Sequence, residues 1–145
     1  MTRESTSLNS GRLWTHANLN EETHANLEHF LGGTSMRSLG WLMKAGSQEH
    51  VTTNEPSSES LVTPENIQRL KGIPILFLSG TGNMVFTAEN TDRSYTTLSR
   101  AHGRQWYQRE VFQGKGHLDA WMGSNAYEDV YPRVLSHVEE VIELR

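Results

Sequence analysis

Val111-Phe-Gln-Gly-Lys-Gly-His-Leu-Asp119 reads as the end of a strand, a glycine-hinged loop and then a histidine, and the chain beyond residue 72 is arranged to deliver His117 to one place. Upstream, Ile73-Pro-Ile-Leu-Phe-Leu-Ser79 is a short apolar run closed by Gly80-Thr-Gly-Asn83. A buried parallel strand ends in this way at a ligand-facing edge. A helical pattern lies between the two runs. The order strand, helix, strand predicts a parallel crossover that sets both strand C-termini on one rim, where α/β proteins keep their sites. Asn83 and His117 are therefore expected to be neighbours.

Around that centre, 145 residues suffice for one domain with one core. Apolar residues make up 35% and charged residues 21%, values of a globular rather than a disordered chain. A formal charge of −4, with no basic run, argues against a nucleic-acid surface and for neutral or apolar partners. Without cysteine, disulfides, thiolate catalysis and thiolate zinc sites are excluded. Met1-Thr-Arg-Glu-Ser-Thr-Ser7 lacks the layout of a secretory signal, and no apolar run approaches the roughly 20 residues of a bilayer span. The expectation is a soluble, cytoplasmic chain, or one that begins partway through a larger protein.

Residues 1–12 are polar and patternless and predict a disordered leader. Thr15-His-Ala-Asn-Leu19 is then repeated as Thr23-His-Ala-Asn-Leu27, too short an echo for a solenoid. Asn20 can cap a helix from Glu21 to Leu31 with Leu27, Phe30 and Leu31 on its apolar side, and Ser35 a second from Met36 to Ala45. Met36, Leu39, Leu42 and Met43 give that second helix a core-like stripe that stops at Gly46. His16, His24 and His29 invite a metal reading, but their spacing lacks the i, i+4 pair of a zinc helix, so no metal site is expected. Residues 46–63 read as a surface loop or linker, making 13–62 a helical cap-like segment.

Thr63-Pro64-Glu65 opens a short helix to about Leu70 that leads into the first strand, near 73–79. Thr87 can cap a helix from Ala88 to His102, ended by Gly103, with Tyr95 and Leu98 facing the sheet. The second strand, near 105–112, alternates without choosing a clean apolar face, which suits an edge. Ala126 to Leu144 predicts a C-terminal helix, the helix proper beginning near Asp129 so that Pro132 falls in the first turn, with Val130, Val134, Val138, Val141 and Ile142 packing on the sheet.

A histidine on a glycine loop beyond a strand end can act as general base to a serine if a carboxylate orients its far nitrogen. Here the residue after the preceding strand is Asn83, not aspartate. An amide holds an imidazole but does not stabilise the imidazolium, a change that costs on the order of 10⁴ in turnover in a serine protease. No Gly-x-Ser-x-Gly occurs; Gly33-Thr-Ser35-Met-Arg37 is the nearest approach and lacks the second glycine. The bland alternative for His117 is a loop histidine bonded to Asp119 or to backbone. Gly80-Thr-Gly82 is half of a dinucleotide fingerprint, with Val85 where the third glycine belongs. Glu89 and Asp92 read as solvated first-turn residues that favour the helix dipole.

Gly116-His-Leu-Asp-Ala-Trp-Met-Gly123 followed by Asp129-Val-Tyr-Pro132, with Leu13-Trp-Thr-His16, Asn18-Leu19 and Thr23-His24 upstream, resembles the C-terminal part of an α/β-hydrolase domain. The domain in question is the one attached to cholesterol-oxidase-like flavoproteins of the glucose-methanol-choline type, and acid lipases are a more distant likeness. The likeness runs from about residue 13 to 143. It implies a partial α/β-hydrolase fold with 63–145 as a C-terminal βαβα lobe, His117 at the triad histidine position and Asn83 at or next to the acid position, degenerate. The family's early strands, nucleophile elbow, oxyanion loop and flavin domain have no counterpart here, so neither hydrolase activity nor FAD is carried over and no cofactor is expected. Two parallel strands leave two edges unpaired. The expected partners are an N-terminal half or a second copy at the sheet edge, with an apolar ester as substrate only in a full-length context.

Overall fold

The computed structural model describes residues 13–144 except 31, 34, 49, 54–56 and 58, so the expected leader at 1–12 lies outside the described residues. The chain divides into two units, Met1–Asn26 with Pro74–Arg145, and Leu27–Ile73.

Asn20 starts the first helix by accepting the Thr23 amide at 2.7 Å, and α1 (Glu21–Ala25) follows. The helix expected to continue to Leu31 breaks at Asn26. There the side chain donates to the Glu22 carbonyl at 2.8 Å and the backbone, at φ −105° and ψ 10°, leaves helical geometry. In the second unit, α2 (Leu27–Phe30) is a separate turn with Leu27 buried and Phe30 exposed rather than on an apolar face. Leu31 lies outside the described residues.

Ser35 caps α3 (Met36–Gly46), its hydroxyl accepting the Ser38 amide at 3.0 Å. The helix takes in Gly46, and Met36 and Leu42 are exposed instead of lining a core. The side chains of Leu39 and Met43 are outside the described residues. Within the expected loop, Thr52 and Ser60 form an antiparallel bridge. Thr63 Oγ1 then accepts the Asn66 amide at 3.2 Å and Pro64 fills the first turn of α4 (Pro64–Gln68). It stops short of Leu70.

The first unit holds the sheet. β1 (Ile75–Gly80), α5 (Ala88–His102) and β2 (Tyr107–Phe112) make the expected crossover, with Ile75 opposite Tyr107 and Gly80 opposite Phe112 in parallel register. Among the described residues the sheet has these two strands. Both begin two residues late: Pro74 has no N–H to give a ladder, and Arg104–Trp106 winds into a 3-10 turn. Gly103 ends α5 at φ +92°, the left-handed region glycine tolerates. Leu98 is buried and Tyr95 half-buried on α5, which packs on both strands. Thr87 stands at the cap position, but its side chain bonds no helix amide. Its hydroxyl bonds the Glu89 carboxylate and, with the Glu89 backbone amide, holds that carboxyl below its ordinary range.

The ambiguous alternation of β2 has a cause. Arg109 reaches α5, donating to Ala88 O at 2.9 Å and Thr91 Oγ1 at 3.2 Å and pairing with Asp92 at 3.7 Å. Gln108, on the opposite face, donates to Glu140 at 2.6 Å. Each face thus carries a polar side chain with its own helical partner.

After β2 come α6 (Asp119–Met122), α7 (Ala126–Asp129) and α8 (Tyr131–Glu143). The helical stretch expected from Ala126 divides at Val130, and the helix proper, α8, begins close to the expected Asp129 with Pro132 in its first turn, where its missing N–H is harmless. The valine stripe is split too. Val130 is fully buried and Val134 and Val141 half-buried, whereas Val138 and Ile142 are 46% and 65% exposed. The main neighbour of α8 is α7, and a sheet of two strands is too narrow to cover its whole apolar arc. No helix among the described residues is long and apolar enough to cross a membrane.

Candidate functional site

The loops that leave β1 and β2 are stitched together by backbone. Thr81 N–H donates to Phe112 O at 2.9 Å and Gly82 N–H to Lys115 O at 2.9 Å, while Gly114 N–H donates to Thr81 Oγ1 at 2.8 Å. A side chain at Gly80 would overlap the Lys115 carbonyl, and one at Gly82 would crowd the same oxygen at 3.2 Å. The two glycines that suggested a phosphate loop are thus accounted for by the close approach of the neighbouring loop. Lys115 is itself held, its buried ammonium 3.0 Å from Asp129 of α7.

This stitching brings Asn83 and His117 together. The Asn83 carboxamide oxygen accepts both the Val85 and the Phe86 amide, each at 3.0 Å, which leaves its nitrogen facing His117 Nδ1 at 3.2 Å. An amide nitrogen only donates, so Nδ1 must be the bare, accepting nitrogen and the proton of the neutral ring sits on Nε2. A triad histidine needs the reverse, Nδ1–H toward the acid and a bare Nε2 toward the nucleophile. Burial also lowers the His117 pKa, favouring the neutral ring. Phe86 packs edge-on against it, with centroids 5.4 Å apart.

Asp119 does not bond His117, contrary to the bland expectation for that ring. Its carboxylate, fully buried, accepts the Thr15 amide at 3.0 Å, the Gly116 amide at 2.9 Å and the Asn18 carboxamide. Asn18 also donates to Gly114 O at 2.9 Å, and the Leu118 amide donates to Leu13 O at 2.8 Å. Residues 13–18 are thereby tied along the loop that carries His117. A side chain at Gly116 would collide with Asp119 and press on Trp14 and Thr15. Sequence alone does not single out Asp119 as this anchor, because two of its three donors, Thr15 and Asn18, lie 104 and 101 residues away and nothing local marks that pairing.

Beside the pair lies a cavity of about 150 Å³ whose lining includes Leu78, Ser79, Asn83, Phe86, His117 and Trp121. Of the two hydroxyls in its lining, Ser79 Oγ is buried with no hydrogen-bond partner, so it is not activated by the ring, and Thr91 Oγ1 donates to Ala88 O at 2.8 Å. Ser35, the nearest approach to a nucleophile motif, is a helix cap whose hydroxyl also meets that of Ser38 at 2.9 Å. No group of three or more metal-ligating side chains converges among the described residues. The arrangement can donate one hydrogen bond from His117 Nε2 into a small, mostly apolar space. Comparison with protein-family models, curated proteins and solved structures finds no match to this chain.

Proposed function

We propose that the chain is the C-terminal lobe of an α/β-hydrolase-like, esterase- or lipase-type protein, carrying the triad histidine at His117 and a degenerate acid position at Asn83, and inactive in acyl transfer by itself. The observation that carries this is the Asn83–His117 contact at 3.2 Å across the ends of two parallel strands. Two features of the site support the proposed inactivity. The proton on Nε2 leaves no basic nitrogen where a nucleophile would stand, and the one cavity-lining serine has no partner for its hydroxyl. An apolar ester would be the substrate only in a full-length context, and the proposed location is cytoplasmic. A serine-reactive fluorophosphonate tests this: no labelling of the purified chain is expected, and stoichiometric labelling would overturn it.

A second reading, a non-catalytic binding or assembly module, is favoured by the sheet, whose two strands each have one unpaired edge among the described residues. An N-terminal half or a second copy adding a strand there would slow amide exchange in Ile75–Gly80 or Tyr107–Phe112. Unchanged exchange with a monomeric mass at high concentration would remove this reading.

A further inference from the structure

The repeated pentapeptide brings two imidazoles together. His16 opens a 3-10 turn and His24 lies in α1, and although eight residues apart they meet, His16 Nδ1 to His24 Nε2, at 2.8 Å. The ring centroids are 4.9 Å apart and both rings lie edge-on to Trp14, at 5.9 and 6.4 Å. Spacing along one helix misses this, because the chain reverses between His16 and His24.

We infer that His16 Nδ1 and His24 Nε2 form a two-imidazole site for a divalent transition ion, copper(II) foremost. The 2.8 Å separation sets two ring nitrogens within reach of one ion, which imidazole binds at about 2.0–2.1 Å. Imidazole suits copper, and among the first-row divalent ions copper(II) binds nitrogen ligands most tightly. In the metal-free pair one nitrogen carries a hydrogen and the other accepts it. Binding needs both lone pairs, so the donor ring shifts its proton to its far nitrogen and both rings stay neutral. The site lies on the exposed surface, so the rings can turn toward an ion. With no third protein ligand converging among the described residues, water completes the coordination. The inference is independent of the function proposed above.

The test uses the untagged chain titrated with copper(II) chloride, followed by tryptophan fluorescence and electron paramagnetic resonance. One saturable equivalent is expected, with two coordinated imidazole nitrogens and quenching that largely disappears in Trp14→Phe. His16→Asn and His24→Asn should each weaken binding by at least about tenfold, whereas His29→Gln leaves it unchanged. Circular dichroism establishes that the variants fold. Unaltered affinity in both folded histidine variants would overturn the assignment. If either fails to fold, the nitrogen count on the unsubstituted chain decides: fewer than two coordinated imidazoles, or no saturable binding, rejects the site.

Discussion

The rim and the C-terminal helix of the first unit are built on opposite terms. At the rim nearly every buried polar group is used: Asp119 accepts three hydrogen bonds, Asn83 makes three, and Lys115 is ion-paired. On α8, by contrast, Leu135, Val138 and Ile142 stand 57%, 46% and 65% exposed. The fold has thus placed its specificity in polar contacts that fix one arrangement of two loops, and has left apolar area on its last helix uncovered. Polar networks of this kind are costly when broken, since an abandoned buried donor loses water and partner together. Exposed apolar side chains carry no such penalty.

The largest effect is expected from Asp119→Ala, which strands the Thr15 and Gly116 amides beside a fully buried side chain and leaves the Asn18 carboxamide only its bond to Gly114 O. A loss of about 3 kcal/mol or more in denaturant unfolding would bear out the contrast. Asn83→Ala removes the acceptor of two backbone amides and should cost about 2 kcal/mol, while Asn83→Asp keeps that acceptor and costs much less. A third test concerns pH. Because burial lowers the His117 pKa, the unfolded chain takes up a proton there before the folded one does. This contribution is present above the ordinary imidazole value of about 6.5 and is lost as pH falls from there through the lowered value of the folded chain. Urea midpoints should therefore drop less between about pH 7 and about pH 5.5 in His117→Gln than in the parent. The smallest effect is expected from Ile142→Ser, within about 0.5 kcal/mol. A larger loss would mean that the exposed face of α8 is covered in solution.

The crossover was legible in the sequence because its signals are local. Ile75–Gly80 is a continuous apolar run, Gly103 stops α5, and glycines mark both rim loops, so the meeting of Asn83 with His117 follows from connectivity alone. What escaped depends on contacts across long separations. The bonds from Asp119 to Thr15 and Asn18, the ion pair of Lys115 with Asp129, and the meeting of His16 with His24 have no periodic signature. Periodicity alone runs the first helix on past Asn26, where a side-chain bond competes with the ladder, whereas Pro132 marks the start of α8. The valine stripe of α8 reads as core in the sequence because amphipathicity tells which face is apolar and not whether enough sheet exists to cover it.

The account turns on which nitrogen of His117 holds the proton, and long-range proton–nitrogen correlation spectra of the labelled chain at neutral pH read this directly. The expected pattern is the tautomer protonated on Nε2 with Nδ1 bare, reversing in Asn83→Asp, where a carboxylate oxygen would face the ring in place of the amide nitrogen. A ring in the parent chain protonated on Nδ1, with Nε2 free to accept a proton, would contradict it.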